Sequence, residues 1–169
     1  MQIEIIKDNN QYNEQIKHVV TSAFKQDNEA ILVEKIKEES DYYVSYLAID
    51  KEKDMVVGHV MISPMILNGV SNVLCLAPVS VLSEYENHGI GSQLIKQAIS
   101  EASKNENYDI ITVLGSDHYY NRFGFEGYDT NKFVLPFEVE PRFFQIMELK
   151  DDCLKSLTGT FDYPHYFGN

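Results

Sequence analysis

The chain of 169 residues contains no tryptophan, only two cysteines and only five prolines. Both cysteines, Cys75 and Cys153, lie among apolar neighbours, which predicts reduced, buried thiols and argues against a disulfide framework. No apolar run approaches the ~18 residues of a membrane-spanning helix. The first residues lack the basic start and the apolar segment of a secretory signal. These absences predict a cytoplasmic protein without a membrane partner.

Positive charge is also scarce: 14 lysines and arginines stand against 26 aspartates and glutamates, for a net charge of −12. Because this field would repel a phosphate polymer, general nucleic-acid binding is not expected. The same field would attract a cationic substrate such as an amine, although acidic surfaces commonly serve solubility alone. The His, Cys and carboxylate residues show no metal-ligand spacing, so no metal site is predicted.

The length and the ordinary composition predict one globular domain over residues 1–169. Hydrophobic spacing predicts the order β-α-α-β-β-β-α-β-α-β-β, which is an α/β (α+β mixed) class with helices on both faces of the sheet. Helices are expected over residues 11–25, 29–38 and 90–104, and Ser116 is expected to cap a short helix that stops at Gly124. Strands are expected over residues 3–6, 44–50, 56–67, 72–82, 109–114, 133–137 and 143–149.

The most informative segment is residues 79–94. There an apolar strand leads through a polar turn into two glycines, Gly89 and Gly91, and then into an amphipathic helix. Glycine permits close approach of a ligand, and the first turn of a helix presents unpaired N–H groups and partial positive charge. The segment therefore predicts a cradle for phosphate.

A dinucleotide fingerprint is one alternative explanation of the two glycines. The G-x-G-x-x-G pattern needs Gly or Ala where Leu94 stands, and it normally occupies the first strand–helix turn of a parallel sheet. No Gly-Lys-[Ser/Thr] follows that would form a nucleoside-triphosphate loop. A Rossmann-type nucleotide-binding protein is therefore the less favoured hypothesis.

The strand, the x-x-x-G-x-G loop, the helix, the next strand and a short helix ending in YYNRFGF (residues 119–125) together resemble the GNAT superfamily of N-acetyltransferases, and within it the YhbS-like bacterial branch. The resemblance spans nearly the whole chain and includes VGHV at 57–60, LAPVSV at 76–81, VLG at 113–115 and TFDYPHYF at 160–167. It implies the GNAT fold, a twisted, mixed, mostly antiparallel sheet of about seven strands that is splayed between strands 4 and 5.

The resemblance implies acetyl-CoA as the co-substrate. Pantetheine would pair with the exposed backbone of Val79, Ser80 and Val81, where an N–H can also polarise the thioester carbonyl. The remaining expected cofactor-binding residues are Glu86, Asn87, His88, Gly89, Ile90, Gly91 and Ser92 in the loop, and Ser116, Tyr119 and Phe123 further along the chain.

The loop departs from the family pattern at Glu86, where the family has Gln or Arg; only Gly89 and Gly91 match fully. Like charges about 4 Å apart repel by roughly 1 kcal/mol or more, whereas backbone donors do not depend on the side chain. We therefore expect acetyl-CoA to bind, and the sequence leaves open whether Glu86 weakens that binding. His88 can supply partial positive charge at lower pH.

Tyr120 lies four residues before Gly124 and matches the family's general-acid tyrosine. A phenol stays protonated near neutral pH and can still donate to a leaving thiolate. The alternative is an aromatic face against the sheet, which Tyr119 and Phe123 are expected to form.

The candidates for the general base are His59, Glu84, His118 and a water relayed to a carboxylate. Cys75 is not expected to act as a nucleophile, because no paired histidine is evident.

The resemblance thus implies an N-acetyltransferase that moves the acetyl group of acetyl-CoA directly to an amine of a small molecule or a protein, within a ternary complex. The alternative is a CoA-binding regulatory module without catalysis, which Glu86 favours. The sequence does not name the acceptor and is compatible with a monomer or a homodimer.

Overall fold

The computed structural model describes residues 1–168, which form nine β-strands and four α-helices. The elements are β1 (Ile3–Lys7), α1 (Asn13–Phe24), α2 (Asn28–Glu39), β2 (Val44–Asp50), β3 (Met55–Leu67), β4 (Val70–Val81), α3 (Ile90–Ala102), β5 (Ile110–Leu114), α4 (Asp117–Tyr120), β6 (Glu126–Gly127), β7 (Phe133–Val134), β8 (Phe144–Glu148) and β9 (Gly159–Asp162). The predicted mixed, mostly antiparallel class is confirmed. None of the helices in residues 1–168 is long and apolar enough to cross a membrane.

The strand count is nine where about seven were predicted, and the two additions, β6 and β9, are short. β9 depends on a contact distant in sequence. The side-chain oxygen of Asn68 accepts from the Thr160 N–H at 2.9 Å, and its amide nitrogen donates to the Thr158 carbonyl at 2.7 Å. β7 covers two residues of a predicted five, since the chain from Leu135 onward leaves the strand.

The chain divides into two compact units, each made of two segments. Unit 1 comprises residues 1–62 and 77–102, and unit 2 comprises residues 63–76 and those from 103 onward. Strands β3 and β4 each contribute residues to both units: β3 is divided after Ile62 and β4 after Leu76.

Unit 1 holds an antiparallel arrangement of β1 with β2 and of β2 with β3, and β4 is the next strand beside β3. Neighbouring residues of a strand point to opposite faces. The Tyr46 hydroxyl donates to Glu101 of α3, whereas Ser45 bonds to Asp8, which is paired with Lys37 of α2. α2 and α3 therefore lie on opposite faces of β2, as predicted.

Unit 2 contains β5, which pairs in parallel with β4 at Leu74–Cys75 and antiparallel with β8. β6 pairs with β8, and β9 pairs with both β3 and β7. Its core is largely aromatic and aliphatic, with Phe133, Phe144 and Phe161 buried together. Both cysteines are free thiols; Cys75 is buried as predicted, but Cys153 is only half-buried because it begins an exposed 3-10 turn.

Candidate functional site

The connection from β4 to α3 is a tight loop with defined backbone geometry. The Leu82 N–H donates to the Val57 carbonyl at 2.9 Å, and a 3-10 turn at Ser83–Tyr85 follows. Asn87 and Gly89 then take the left-handed conformation, with φ of 65° and 78°. The Gly89 carbonyl accepts from the Gln93 N–H at 3.1 Å, so the N–H groups of residues 90–92 have no partner within the helix. The first turn of α3 therefore presents unpaired N–H groups directly after two left-handed residues.

The loop is open to solvent along its length. Residues 86–89 are exposed, residues 91 and 92 are half-buried, and Ile90 is buried. An ideal Cβ on Gly89 would meet no atom within 4 Å, so the space beside this residue is open. Glu86 precedes the left-handed turn with an extended backbone, φ −65° and ψ 157°. Glu86 therefore lies at the start of the loop, directly before the first left-handed residue, Asn87.

The last residues of β4 form a partly exposed strand edge. Ala77, Val79 and Val81 are half-buried, whereas Ser80 is buried. β3 lies along one side of β4, and on the other side β5 pairs with β4 at Leu74 and Cys75. Among residues 1–168, therefore, the edge of residues 77–81 opposite β3 has no paired strand. An unpaired strand edge can accept an extended ligand.

Gly58 of β3 allows α3 to lie close to the sheet. A Cβ at this position would stand 3.0 Å from a methyl group of Leu94, 3.3 Å from Ile90 and 3.3 Å from the Ser80 carbonyl. All three neighbours belong to the loop–helix segment or to the strand edge. The absence of a side chain at Gly58 therefore sets the distance between that segment and the sheet.

In unit 2, Tyr120 ends α4, and its ring packs on Gly115. A Cβ on Gly115 would stand 2.5 Å from Cε2 of Tyr120, so only glycine leaves room for the ring. Tyr120 also meets Tyr119 and Phe125 edge-on, with ring centroids 5.0 and 5.9 Å away. The predicted aromatic contact of Tyr119 with Phe123 is present at 5.5 Å.

Burial is the main reason that the pKa of Tyr120 rises to about 12, and the neighbouring Tyr119 adds to it. A phenol with so high a pKa is a hydrogen-bond donor throughout the physiological pH range.

Ser116 occupies the N-cap position of α4, but its side chain makes no capping bond, contrary to the prediction. The Asp117 carboxylate instead accepts from the His118 N–H at 2.9 Å.

The candidates for the general base differ in access to solvent. Glu84 and His118 are exposed. His59 is fully buried, and burial lowers its pKa to about 4. The thiol of Cys75 is also buried, which raises its pKa to about 12 and disfavours the thiolate needed for nucleophilic attack.

A buried polar chain around His59 was not predicted from the sequence. The Ser45 hydroxyl donates to Asp8 at 2.8 Å, and the same oxygen lies 2.9 Å from Nε2 of His59. Because Ser45 has one proton and gives it to Asp8, neutral His59 must donate from Nε2. Its Nδ1 is then a bare acceptor, which is buried without a hydrogen-bond partner.

A second buried carboxylate, Asp50, was also missed. It ends β2, is 1% exposed and accepts a hydrogen bond from the Tyr85 hydroxyl at 2.7 Å. Residues 50 and 85 are far apart in sequence. The only sequence signals are an aspartate ending an apolar strand and a tyrosine directly before the glycine loop, and neither signal names its partner.

Among residues 1–168, no three His, Cys, Asp or Glu side chains are grouped so that they could hold a metal ion.

Comparison with known proteins identifies a consistent set of relatives. A model of the acetyltransferase (GNAT) family matches residues 7–125. The chain is 31% identical over 147 residues to the uncharacterized N-acetyltransferase YhbS of Escherichia coli strain K12, covering 86% of each protein. It is also 31% identical over 114 residues to the uncharacterized N-acetyltransferase YjhQ of the same strain, covering 66% of this chain and 62% of that protein.

Two solved structures are similar to this fold. One is the GNAT family N-acetyltransferase YhbS from Escherichia coli in complex with CoA, with a TM-score of 0.89, 26% identity and coverage of 100% of this chain and 93% of that chain. The other is a GNAT family acetyltransferase from Brucella melitensis in complex with acetyl-CoA, with a TM-score of 0.80, 24% identity and 98% coverage of both chains. At that identity the second likeness shows the fold alone.

Proposed function

Because this chain belongs to the GNAT acetyltransferase family, we propose that it moves the acetyl group of acetyl-CoA directly to an amine of a small molecule or a protein. The observation that carries the proposal is the loop of residues 86–92, with its two left-handed residues and the free N–H groups at the start of α3. The similar Escherichia coli protein crystallised with CoA supports this choice of donor.

The proposed pyrophosphate ligands are the backbone N–H groups of the loop rather than its side chains. Asn87, His88, Gly89, Ile90, Gly91 and Ser92 would contribute them. The open space beside Gly89 leaves the backbone accessible to a phosphate, and the helix start adds partial positive charge. Glu86, which stands before the turn, would face the same anion as a like charge.

The proposed pantetheine site is the strand edge formed by Val79, Ser80 and Val81. Their backbone lies on the part of β4 that is unpaired opposite β3. An amide-bearing pantetheine arm can bind such an edge as an added strand does. A backbone N–H there would polarise the thioester carbonyl.

Tyr120 is the proposed general acid. Acetyl-CoA supplies an activated acyl group; as the amine nitrogen bonds to the acyl carbon, the carbon–sulfur bond breaks. Tyr120 would give its phenol proton to the departing sulfur, and its phenolate, with a pKa of about 12, would at once regain a proton from solvent, to which the half-buried side chain has access. The amine must lose a proton as well. We propose that a water relayed to a carboxylate accepts it, with Glu84 as the carboxylate and His118 as the alternative acceptor.

Three residues near Tyr120 in the chain are proposed to contact the cofactor as well: Ser116, Tyr119 and Phe123.

We also propose that residues 1–169 act as one domain, because the family match at 7–125 includes parts of both units. A single unfolding transition that coincides by two spectroscopic probes would support this.

The cradle is tested with Gly89→Val and calorimetric titration of CoA. A branched side chain at a φ of 78° is strained and fills the open space, so CoA affinity should fall at least about tenfold. Gly69→Val is the matched control, since Gly69 has a φ of 77° and the same open surroundings, at a hairpin tip. Equal CoA affinity in the two variants would contradict the cradle.

The role of Tyr120 is tested by Tyr120→Phe in an assay of thiol release from acetyl-CoA with a panel of amines. Turnover should fall by about 10²-fold, the usual contribution of general-acid catalysis, while the Kd of CoA stays unchanged. Gly115→Ala should lower turnover too, because it displaces the Tyr120 ring. Tyr128→Phe, at a tyrosine packed on Phe144, is the control. Undiminished turnover in Tyr120→Phe would exclude it as the acid.

A second candidate function, a CoA-binding regulatory module without catalysis, is favoured by the exposed carboxylate of Glu86 at the start of the loop. In that case CoA would bind, yet no amine would cause thiol release. Glu86→Gln measures the effect of this charge directly. If the carboxylate opposes the pyrophosphate, the variant should bind CoA several-fold more tightly, as expected for the loss of roughly 1 kcal/mol of repulsion.

A further inference from the structure

Tyr85 is the anchored residue of an otherwise exposed loop. It closes the 3-10 turn directly before Glu86 and is only 5% exposed, while the four residues that follow are exposed. Its hydroxyl donates to Oδ2 of Asp50 at 2.7 Å. The side chain thus ties the start of the loop to the end of β2.

Asp50 is itself fixed on its other oxygen. Its Oδ1 accepts from the Gln2 N–H at 3.3 Å and from the Glu52 N–H at 3.1 Å. The acceptor for Tyr85 is therefore held by two backbone N–H groups, one just before β1 and one just after β2. A hydrogen bond to a carboxylate is shorter and stronger than one between neutral groups, which suits a fixed anchor.

The protonation states of the pair are stable. The Tyr85 hydroxyl, working against burial, lowers the pKa of Asp50 below its usual range. The same hydrogen bond is the main cause that raises the pKa of Tyr85 to about 12. Near neutral pH the phenol is therefore always the donor, and the carboxylate is always the acceptor.

Backbone hydrogen bonds hold this loop at its two ends and within the 3-10 turn, where the N–H groups of Tyr85 and Glu86 donate to the carbonyls of Leu82 and Ser83 at 2.8 and 3.3 Å. The Leu82–Val57 bond fixes its beginning, and the Gln93–Gly89 bond fixes its end. Between them, two left-handed residues must keep several N–H groups aimed in one direction. From this we propose that the Tyr85–Asp50 hydrogen bond is a positioning device for the pyrophosphate-binding loop, so that Tyr85 governs binding of the phosphate half of acetyl-CoA without touching it. This inference rests on the proposed function.

A donor that lacks phosphate separates positioning from general stability. S-acetylpantetheine retains the thioester and the pantetheine arm but has no pyrophosphate. Tyr85→Phe should raise the Kd of CoA and the KM of acetyl-CoA roughly tenfold, because a loop without its anchor is in the binding conformation for only a fraction of the time, and the apparent affinity falls by that fraction. The KM of S-acetylpantetheine and the kcat should stay unchanged. Hydrogen exchange of the loop N–H groups should also be faster in this variant.

The matched control is Tyr46→Phe. Tyr46 lies on β2, the strand that ends at Asp50, is 7% exposed and donates to a carboxylate, Glu101, at 3.2 Å, but that carboxylate is in the last turn of α3. This variant should change neither donor. If Tyr85→Phe folds poorly, Asp50→Asn serves instead. Asn keeps an oxygen that can accept from the phenol, so it should show a smaller rise confined to CoA.

The outcomes separate the two proposals. Wild-type protein that fails to bind CoA would overturn the proposed function. Wild-type protein that binds CoA, together with Tyr85→Phe that binds it equally well, would overturn only the positioning role. So would an equal loss with CoA and S-acetylpantetheine, because a merely structural residue affects both donors alike.

Discussion

Two buried carboxylates of unit 1, Asp8 and Asp50, are stabilised in different ways near opposite ends of β2. Asp8 pairs with Lys37 at 2.5 Å, and the side chains are 1% and 13% exposed. Asp50 accepts hydrogen bonds from a phenol and from two backbone N–H groups, at 2.7, 3.3 and 3.1 Å. One carboxylate therefore faces a full positive charge, and the other faces a set of neutral dipoles.

The different partners give the two carboxylates different roles: Asp8 belongs to an ion pair, whereas Asp50 is the acceptor that anchors Tyr85. Burial would raise the pKa of Asp8, but the bonds from Lys37, Asn10 and Ser45 outweigh it and hold the pKa below its usual range. Removing one member of a buried ion pair leaves the other charge without compensation. Removing the charge of Asp50 leaves no buried cation behind. We infer that Asp8 chiefly serves stability, whereas Asp50 chiefly serves the geometry of the loop.

The largest expected effect comes from Lys37→Met, which leaves the Asp8 carboxylate buried without its cation. Chemical denaturation at pH 7 should show a loss of about 4 kcal/mol in the free energy of unfolding. The loss should shrink at low pH, where Asp8 is protonated in both proteins. Lys35→Met, at an exposed lysine of the same helix, should change stability by less than about 0.5 kcal/mol. Equal losses in the two variants would contradict the pairing.

The stability of the protein should depend on pH through His59, which Ser45 connects to Asp8. Burial holds His59 neutral with a pKa of about 4, against 6.5 for the ordinary side chain, although Asp8 opposes the shift. The unfolded chain then binds a proton that the native protein does not. The contribution of neutral His59 to the free energy of unfolding is therefore fully present above pH 6.5 and is lost as the pH falls towards 4. The loss amounts to at most about 1.4 kcal/mol per pH unit and about 3 kcal/mol in total.

Denaturation curves at pH 7, 6 and 5 measure this slope. His59→Gln should remove the His59 contribution, while His18→Gln, at an exposed residue of α1, should keep it. A wild-type slope that survives in His59→Gln would show that another group carries the pH dependence.

Local patterns in the sequence were sufficient for most of the helices and strands and for the turn at Gly89. Strand β2 has its predicted bounds, and both ends of α1 and of α2 lie within two residues of the prediction, because their apolar positions repeat with the strand or helix period. The glycine turn was found for the same reason: a left-handed loop before a helix has a local residue signature.

Contacts between distant segments were beyond the sequence. β9 exists because Asn68 bonds to residues 158 and 160, some 90 positions away. Likewise, the partner of Tyr85 is 35 residues distant and that of Asp8 is 29 distant. A single aspartate or tyrosine carries no periodicity, so only the packed structure identifies the anchor of the loop and the buried pair.

We expect the least loss of stability from a substitution at Asp50. Asp50→Asn keeps an oxygen for the Tyr85 hydroxyl and leaves no opposite charge buried, so unfolding at pH 7 should lose only about 1 kcal/mol, the net value of one hydrogen bond. The pKa of Asp50 is lowered in the fold. Its contribution is therefore present above the unfolded pKa of 3.8 and is lost as the pH falls through the folded value, and the difference between wild type and variant should vanish in strong acid. A loss as large as that of Lys37→Met would mean that Asp50 also balances a buried charge, and the distinction between pair and anchor would be wrong.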